Sequence, residues 1–219
     1  MIRIRLMFDV ILILAFAGCA TTANPTVSIQ TGAILAEEHF EDIETAAWPS
    51  YSLGGIVFGV VDGQYAAIAS GSGYIWELNR QNHQNVSIDA RVQQLSPAPE
   101  NIYGLICRAH ASLNGMGYYF LLDGHGQFGI RKGDGERLSV LVPWTPSDAI
   151  KTGEVNRLRA VCVDDYLAFY VNDTFLAEAR DSHFSEGWAG FAINAGGDFQ
   201  IAVTFDDVII HEVQISPSE

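Results

Sequence analysis

Val86-Ser-Ile-Asp-Ala-Arg-Val-Gln93 alternates apolar and polar residues without a break. A period of two places Val86, Ile88, Ala90 and Val92 on one face of a β-strand and the polar residues on the other. Three later stretches show the same alternation: 167–171, 189–193 and 199–205. The alternation predicts strands that each bury one face.

Turn-forming pairs separate these stretches and set the fold class. They are Asp62-Gly63, Asp123-Gly124, Gly133-Asp134-Gly135, Asp164-Asp165 and Asn172-Asp173. We count about a dozen short strands, and no segment carries a sustained apolar stripe with the 3.6-residue period of a helix. The sequence therefore predicts an all-β protein, built as a two-sheet antiparallel sandwich.

The N-terminus has the pattern of an export signal. Arg3 and Arg5 precede an apolar run, Leu6 to Phe16, which ends in Ala17-Gly18-Cys19. A basic start, a short apolar segment and small residues before a cleavage point are the parts of a secretory signal. The cysteine gives it the form of a bacterial lipoprotein signal, so we expect lipid on Cys19 and an extracytoplasmic, membrane-anchored domain. The alternative is an ordinary signal peptide with a coincidental cysteine.

The sequence suggests four segments. Residues 1–18 are the predicted signal peptide, and residues 19–36 are predicted to be the lipidated N-terminus and a flexible tether, because they are Thr-rich and lack periodicity. Residues 37–213 are one domain of ordinary size, and residues 214–219 are a C-terminal tail.

The charge of the chain limits its partners. It has a formal net charge of −14 and two lysines, Lys132 and Lys151. Nucleic-acid binding depends on clustered basic residues, so this class of function is excluded. Membrane contact is expected through the lipid alone, and the acidity suits solubility, divalent cations or neutral partners such as glycans.

Two cysteines remain inside the predicted domain. Cys107 and Cys162 both lie in strand-like runs. Disulfides form readily outside the cytoplasm, so we predict that they pair; the alternative is two buried free thiols.

Several motifs also resemble a known group of proteins. They include Phe40-Glu-Asp-Ile, Trp48-Pro, Tyr103-Gly-Leu-Ile-Cys-Arg, Asn156-Arg-Leu-Arg-Ala-Val-Cys and Phe205-Asp-Asp-Val-Ile-Ile. In this order they resemble the concanavalin A-like, laminin G-like jelly-roll modules of secreted bacterial proteins, over about residues 37–212. The resemblance implies a jelly-roll sandwich of the lectin and glucanase type, with adjacent terminal strands. It also implies that carbohydrate or calcium binds on the concave face or its rim.

Calcium is the cofactor that this resemblance suggests. If the first and last strands pair, Glu41 and Asp42 approach Asp206 and Asp207, and carboxylate oxygens are the ligands that calcium prefers. The alternative is two solvated strand ends.

A catalytic carboxylate pair is not evident. Retaining glycosidases need two carboxyl groups about 5 Å apart, and no Glu-x-Asp-x-Glu strand occurs. Glu38 and Glu41 have a spacing that divides them between faces, and Asp134 and Glu136 lie in a glycine turn. We assign no catalytic residue.

A glycan site requires an exposed aromatic ring beside hydrogen-bonding groups. The candidates are Trp144, next to a loop, and Trp188, Tyr119 and Arg108, whose parity is opposite to that of the core residues beside them. The alternative is that they pack in the core or at its rim. We therefore expect a lipid-anchored, non-catalytic module that binds a glycan or another surface polymer. The alternatives are a glycoside hydrolase-type enzyme and a structural or protein-interaction spacer.

Overall fold

The computed structural model describes residues 24–42, 48–71, 73–196 and 200–217. These residues form β-strands and no helix, so no helix among them could span a membrane. The strands are β1 Val27–Glu38, β2 Tyr51–Leu53, β3 Ile56–Val61, β4 Gln64–Ser70, β5 Tyr74–Leu78, β6 Val86–Gln94, β7 Ile102–Ala109, β8 Met116–Asp123, β9 Gln127–Asp134, β10 Leu138–Pro146, β11 Asn156–Val163, β12 Tyr166–Val171, β13 Thr174–Arg180, β14 Trp188–Asn194 and β15 Gln200–Pro217. The predicted all-β class is confirmed.

The strands form two antiparallel sheets. The nine-stranded sheet has the order β13-β12-β11-β6-β15-β4-β3-β2, and β1 pairs with β15. The six-stranded sheet has the order β10-β9-β8-β7-β14-β5. Neighbouring strands are often distant in sequence, as in β14 between β7 and β5, which is the long-range connection typical of a jelly-roll sandwich.

The main core lies between the sheets. Val86, Ile88, Ala90 and Val92 of β6 are each 1% exposed, as their alternation predicts. They belong to one cluster with residues of the six-stranded sheet, among them Leu105, Phe120 and Phe191.

A disulfide connects the two sheets through this core. Cys107 on β7 is bonded to Cys162 on β11, and both residues are fully buried. The predicted pairing of these cysteines is confirmed.

The two ends of the chain form a ribbon on the outside of the nine-stranded sheet. Residues 27–31 of β1 pair with residues 213–217 of β15. Val27 and Val213 pack with Val161, Val163, Tyr166 and Ala168, on the face turned away from the six-stranded sheet. We name this pair of segments the terminal ribbon.

The terminal ribbon corrects two predicted boundaries. Residues 27–36, expected in the tether, belong to β1, and residues 214–217, expected in the tail, belong to β15. Each segment finds its hydrogen-bonding partner in the other, at the opposite end of the sequence. The predicted signal peptide and Cys19 lie outside the described residues.

Candidate ligand-binding face

The outer face of the six-stranded sheet is rich in aromatic side chains. Strand β5, at the edge of this sheet, contributes Tyr74 and Trp76 to the outer face, while Ile75 between them packs against the main core. Along the cross-strand row at Trp76, the next two residues are Ala192 and Gly104. Small residues beside Trp76 leave room for its ring to lie open on the sheet surface, and the ring is half-buried.

Two hollows meet at Trp76. The first, of about 360 Å³, is lined by Tyr74, Trp76, Tyr119 and two loops that contribute Asn114-Gly115 and 135–138. The second, of about 320 Å³, is lined by Tyr51, 74–77, Arg80 and Leu113. We name them the Tyr119 hollow and the Arg80 hollow. Tyr74 and Trp76 line both, so the two aromatic rings form the ridge between them.

The Tyr119 hollow has a fixed wall. Tyr119 is 1% exposed, and its hydroxyl donates a hydrogen bond to the Gly115 carbonyl at 2.8 Å. Its ring lies 6.0 Å from that of Tyr74, edge to face, and burial raises the pKa of both tyrosines. Gly115 has a φ of +81°, and a Cβ there would lie 3.2 Å from the Trp76 ring. Glycine at this position therefore lets the loop before β8 approach Trp76 without strain.

Of the four ligand-binding residues predicted from sequence, only Tyr119 lines a hollow. Trp144 and Trp188 lie on the same face but line neither hollow, and both are half-buried. One side of Trp144 is covered by Arg131, whose guanidinium carbon lies 4.8 Å from the ring centroid.

Arg108 is directed inward, which corrects its predicted role. It is 2% exposed, and its guanidinium donates to three carbonyls and one side-chain amide: Asp164 O at 2.6 Å, Phe184 O at 2.8 Å, Gln84 O at 3.2 Å and Asn85 Oδ1 at 3.3 Å. Burial lowers its pKa. The side chain joins three loops and is not available to a ligand.

The reason is a β-bulge in β7. Trp188 pairs with Ala109 and Gly190 pairs with Ile106, so β7 has one more residue than β14 between these pairs. Arg108 also has a φ of +52°. An extra residue reverses the parity of the positions after it, so Arg108 faces the opposite way from the sequence prediction.

The residues that define the hollows most strongly, Tyr74 and Trp76, were missed by the sequence reasoning. Their signal was present in Tyr74-Ile-Trp-Glu77, where two aromatic residues share one parity. The run is short, however, and nothing in it shows that small residues lie opposite Trp76.

The acidic residues near the hollows do not form a close pair. Glu77 lines the Arg80 hollow and Glu136 lines the Tyr119 hollow. Glu77 is 5% exposed, and burial raises its pKa. Asp134 accepts hydrogen bonds from the amides of Glu136 and Arg137, which lower its pKa. Asp134 therefore stabilises its own turn.

The predicted calcium residues take part in separate interactions, and calcium binding stays a prediction. Asp207 Oδ2 accepts from Arg91 at 3.0 Å, and Asp207 Oδ1 lies 2.7 Å from His39 Nδ1. These hydrogen bonds lower the pKa of Asp207. Asp206 accepts from the Asp207 amide, while Glu41 and Asp42 are exposed. No group of three or more His, Cys, Asp or Glu residues in the described part of the chain is placed to hold a metal ion.

Comparison with known proteins gives the fold. No family model and no curated protein matches the sequence. Among solved structures, the carbohydrate-binding module CBM66 from Bacillus subtilis matches with a TM-score of 0.61 and 18% identity, over 76% of this chain and 96% of that chain. The chain has a galectin-like jelly-roll fold.

Two further solved structures match most of this chain. A protein of unknown function with a galectin-like fold, from Bacillus subtilis, has a TM-score of 0.62 and 12% identity, over 85% of this chain and 99% of that chain. A structure reported with endo-acting O-glycanases of the human gut microbiota has a TM-score of 0.59 and 11% identity, over 82% of this chain and 99% of that chain. At these identities the similarity describes the fold alone.

Proposed function

We propose that the protein is a non-catalytic glycan-binding module that is held outside the cytoplasm by a lipid on Cys19. The observation that carries the proposal is the half-buried Trp76 between the two hollows of the six-stranded sheet. A sugar ring has an apolar face and a polar rim, and an aromatic plane flanked by polar groups matches both.

The polar groups around Trp76 suit this ligand. The Tyr119 hollow contains the exposed side chains of Asn114, Glu136 and Arg137, and the Arg80 hollow contains the exposed side chain of Arg80. These side chains can donate hydrogen bonds to sugar hydroxyls or accept them. Both hollows are open grooves along a sheet surface, which suits part of a polymer better than an enclosed small molecule. A spacer domain would not need such grooves.

The structural neighbours add support. One is a carbohydrate-binding module, and another is reported with O-glycanases. The enzyme alternative has less support, because the two acids that line the hollows, Glu77 and Glu136, lie in different ones. Glycoside hydrolysis needs two carboxyl groups about 5 to 9.5 Å apart across one bond.

Trp76→Ala tests the glycan site. We expect affinity for a glycan identified on an array to fall about 30-fold, because a central tryptophan contributes about 2 kcal/mol or more to binding. Trp76→Phe should restore part of the affinity, since it keeps an aromatic plane. The matched control is Tyr170→Ala, a half-buried aromatic on the outer face of the other sheet.

Thermal melts of each variant would separate lost binding from lost folding. Trp144→Ala and Trp188→Ala test the residues predicted from sequence, and we expect smaller losses because neither lines a hollow. If no glycan binds, or if Trp76→Ala binds as tightly as the wild type, the proposed site is wrong.

The proposed anchor rests on the N-terminal sequence. Val27 packs on the outside of the nine-stranded sheet, opposite the aromatic face. A lipid on Cys19, eight residues earlier in the chain, would therefore leave the aromatic face free to meet a polymer. The net charge of −14 offers no other means of holding an anionic membrane.

Cys19→Ser tests the anchor. The variant should lose lipid labelling, and the protein should either appear in the soluble fraction or keep an uncleaved signal. Fractionation with fatty-acid labelling distinguishes these outcomes. A variant that stays lipidated and processed as before would contradict the assignment of Cys19.

A further inference from the structure

Arg80 differs from most basic residues of this chain because it forms no ion pair among the described residues, although its charge lowers the pKa of the buried Glu77 in the same hollow. In contrast, ion pairs with carboxylates are formed by Lys132, Arg91, Arg137, Arg157, Arg159 and Arg180. The chain has 26 acidic and 12 basic residues, so carboxylates are abundant. Arg80 is exposed, so its guanidinium is available to an external anion.

The backbone at Arg80 is held in an unusual conformation. Its φ is +57°, in the left-handed region that is unfavourable for residues other than glycine. Hydrogen bonds hold the residues before and after Arg80. The Asn79 backbone amide donates to the Ala189 carbonyl at 2.8 Å, and the Gln81 backbone amide donates to Asn79 Oδ1 at 3.2 Å. Strained residues that their surroundings hold in place are common at ligand sites. Arg80 held in this conformation lies at the wall of the Arg80 hollow.

The charge around Trp76 also differs from that of the whole chain. The residues that line the two hollows include two arginines, Arg80 and Arg137, and two acids, Glu77 and Glu136. They are formally neutral in a protein with a net charge of −14.

We infer that the Arg80 hollow binds the anionic group of an acidic saccharide, while the sugar ring of that unit packs against Trp76. The inference rests on the proposed glycan-binding function and specifies the class of glycan. Guanidinium groups bind carboxylate and sulfate through paired hydrogen bonds, and both anions occur on polysaccharides. Arg80 is the primary contact, because Arg137 already pairs with Asp134 at 3.3 Å.

Matched polymers test the inference with the purified full chain. One pair is polygalacturonate and its methyl ester, which differ in the carboxylate; the other is dextran sulfate and dextran, which differ in the sulfate. We expect at least one anionic polymer to bind about tenfold more tightly than its neutral partner at 150 mM salt, which corresponds to about 1.4 kcal/mol. The pair that shows the preference identifies the anion.

Arg80→Gln should remove this preference, measured as the ratio of the anionic to the neutral affinity, because an uncharged amide cannot form the paired, charge-assisted hydrogen bonds of a guanidinium. The matched control is Lys151→Gln, which makes the same change in net charge at an exposed residue that lines neither hollow. The control should keep the preference. If both variants lose it equally, the effect is long-range charge and the inference is wrong.

The design separates this inference from the proposed function. Neutral polymers that bind through Trp76, with no preference for either anionic polymer, would overturn the acidic ligand and leave glycan binding intact. If array glycans and all four polymers fail to bind, the proposed function fails, and the inference fails with it.

Discussion

Replacing Cys107 and Cys162 together by alanine should lower the free energy of unfolding by about 4 kcal/mol. The bond joins residues 55 positions apart, and the chain-entropy model gives about 4 kcal/mol for closing a loop of this size. For a domain of this length the melting temperature should fall by roughly 10 °C. Both cysteines are fully buried, and alanine fits a space made for a cysteine side chain, so the lost cross-link dominates.

Reduction of the wild type provides the control. Chemical denaturation of the wild type in the presence of a thiol reductant should give nearly the same destabilisation, while the double alanine variant should not respond to the reductant. Equal midpoints for the wild type and the variant without reductant would show that the bond contributes nothing. A variant that still responds to reductant would show that the effect lies elsewhere.

The disulfide also shows what could be predicted from sequence. Cys107 and Cys162 both lie in strand-like runs, and the predicted export of the chain was the reason to expect that they pair. A parity argument correctly assigned the buried face of β6. Burial of one face is a local property of a strand, and the sequence records it directly.

Parity failed where the strand itself is irregular. Arg108 follows Cys107 and should face outward, but the bulge in β7 turns it inward to the carbonyls of Gln84, Asp164 and Phe184. A bulge is defined by the number of residues on the partner strand. That partner is β14, about 80 residues away, and the sequence of β7 alone cannot reveal it.

The terminal ribbon was also missed because it depends on pairing with a distant segment of the chain. Val27 and Ile29 alternate with polar residues, but the stretch is Thr-rich, lacks charge and shows no convincing periodicity over its length, so it was interpreted as a tether. Its partner is the last part of β15, at the other end of the chain. Pairing between distant segments depends on register, which local periodicity does not specify.

The candidate site depends both on the local alternation of side chains along each strand and on the long-range pairing of strands. The parity of Tyr119 placed it correctly on the outer face. The opening around Trp76, however, depends on Ala192 and Gly104, which long-range pairing brings beside it. The aromatic residues of the site were thus visible in the sequence, while the hollows were not.

Phe191→Ala should be among the most destabilising single substitutions in the chain, at about 3 to 5 kcal/mol. Phe191 is fully buried on β14, and its ring stacks between two others, with centroids 4.4 Å from Trp48 and 4.0 Å from Phe205. The change removes the centre of the stack and leaves a cavity that strands held by both sheets cannot collapse to fill.

The comparison is with Phe175→Ala, which removes the same atoms from a half-buried site on the outer side of the nine-stranded sheet. That variant should lose only about 1 kcal/mol, because solvent can fill the space. Urea titrations of both variants measure the difference, and similar denaturant slopes would show that both unfold from the same native state. Because Phe191 and the small Ala192 are adjacent on β14, the aromatic stack also supports the strand beside Trp76. If Phe191→Ala costs no more than Phe175→Ala, the stack does not stabilise the sandwich.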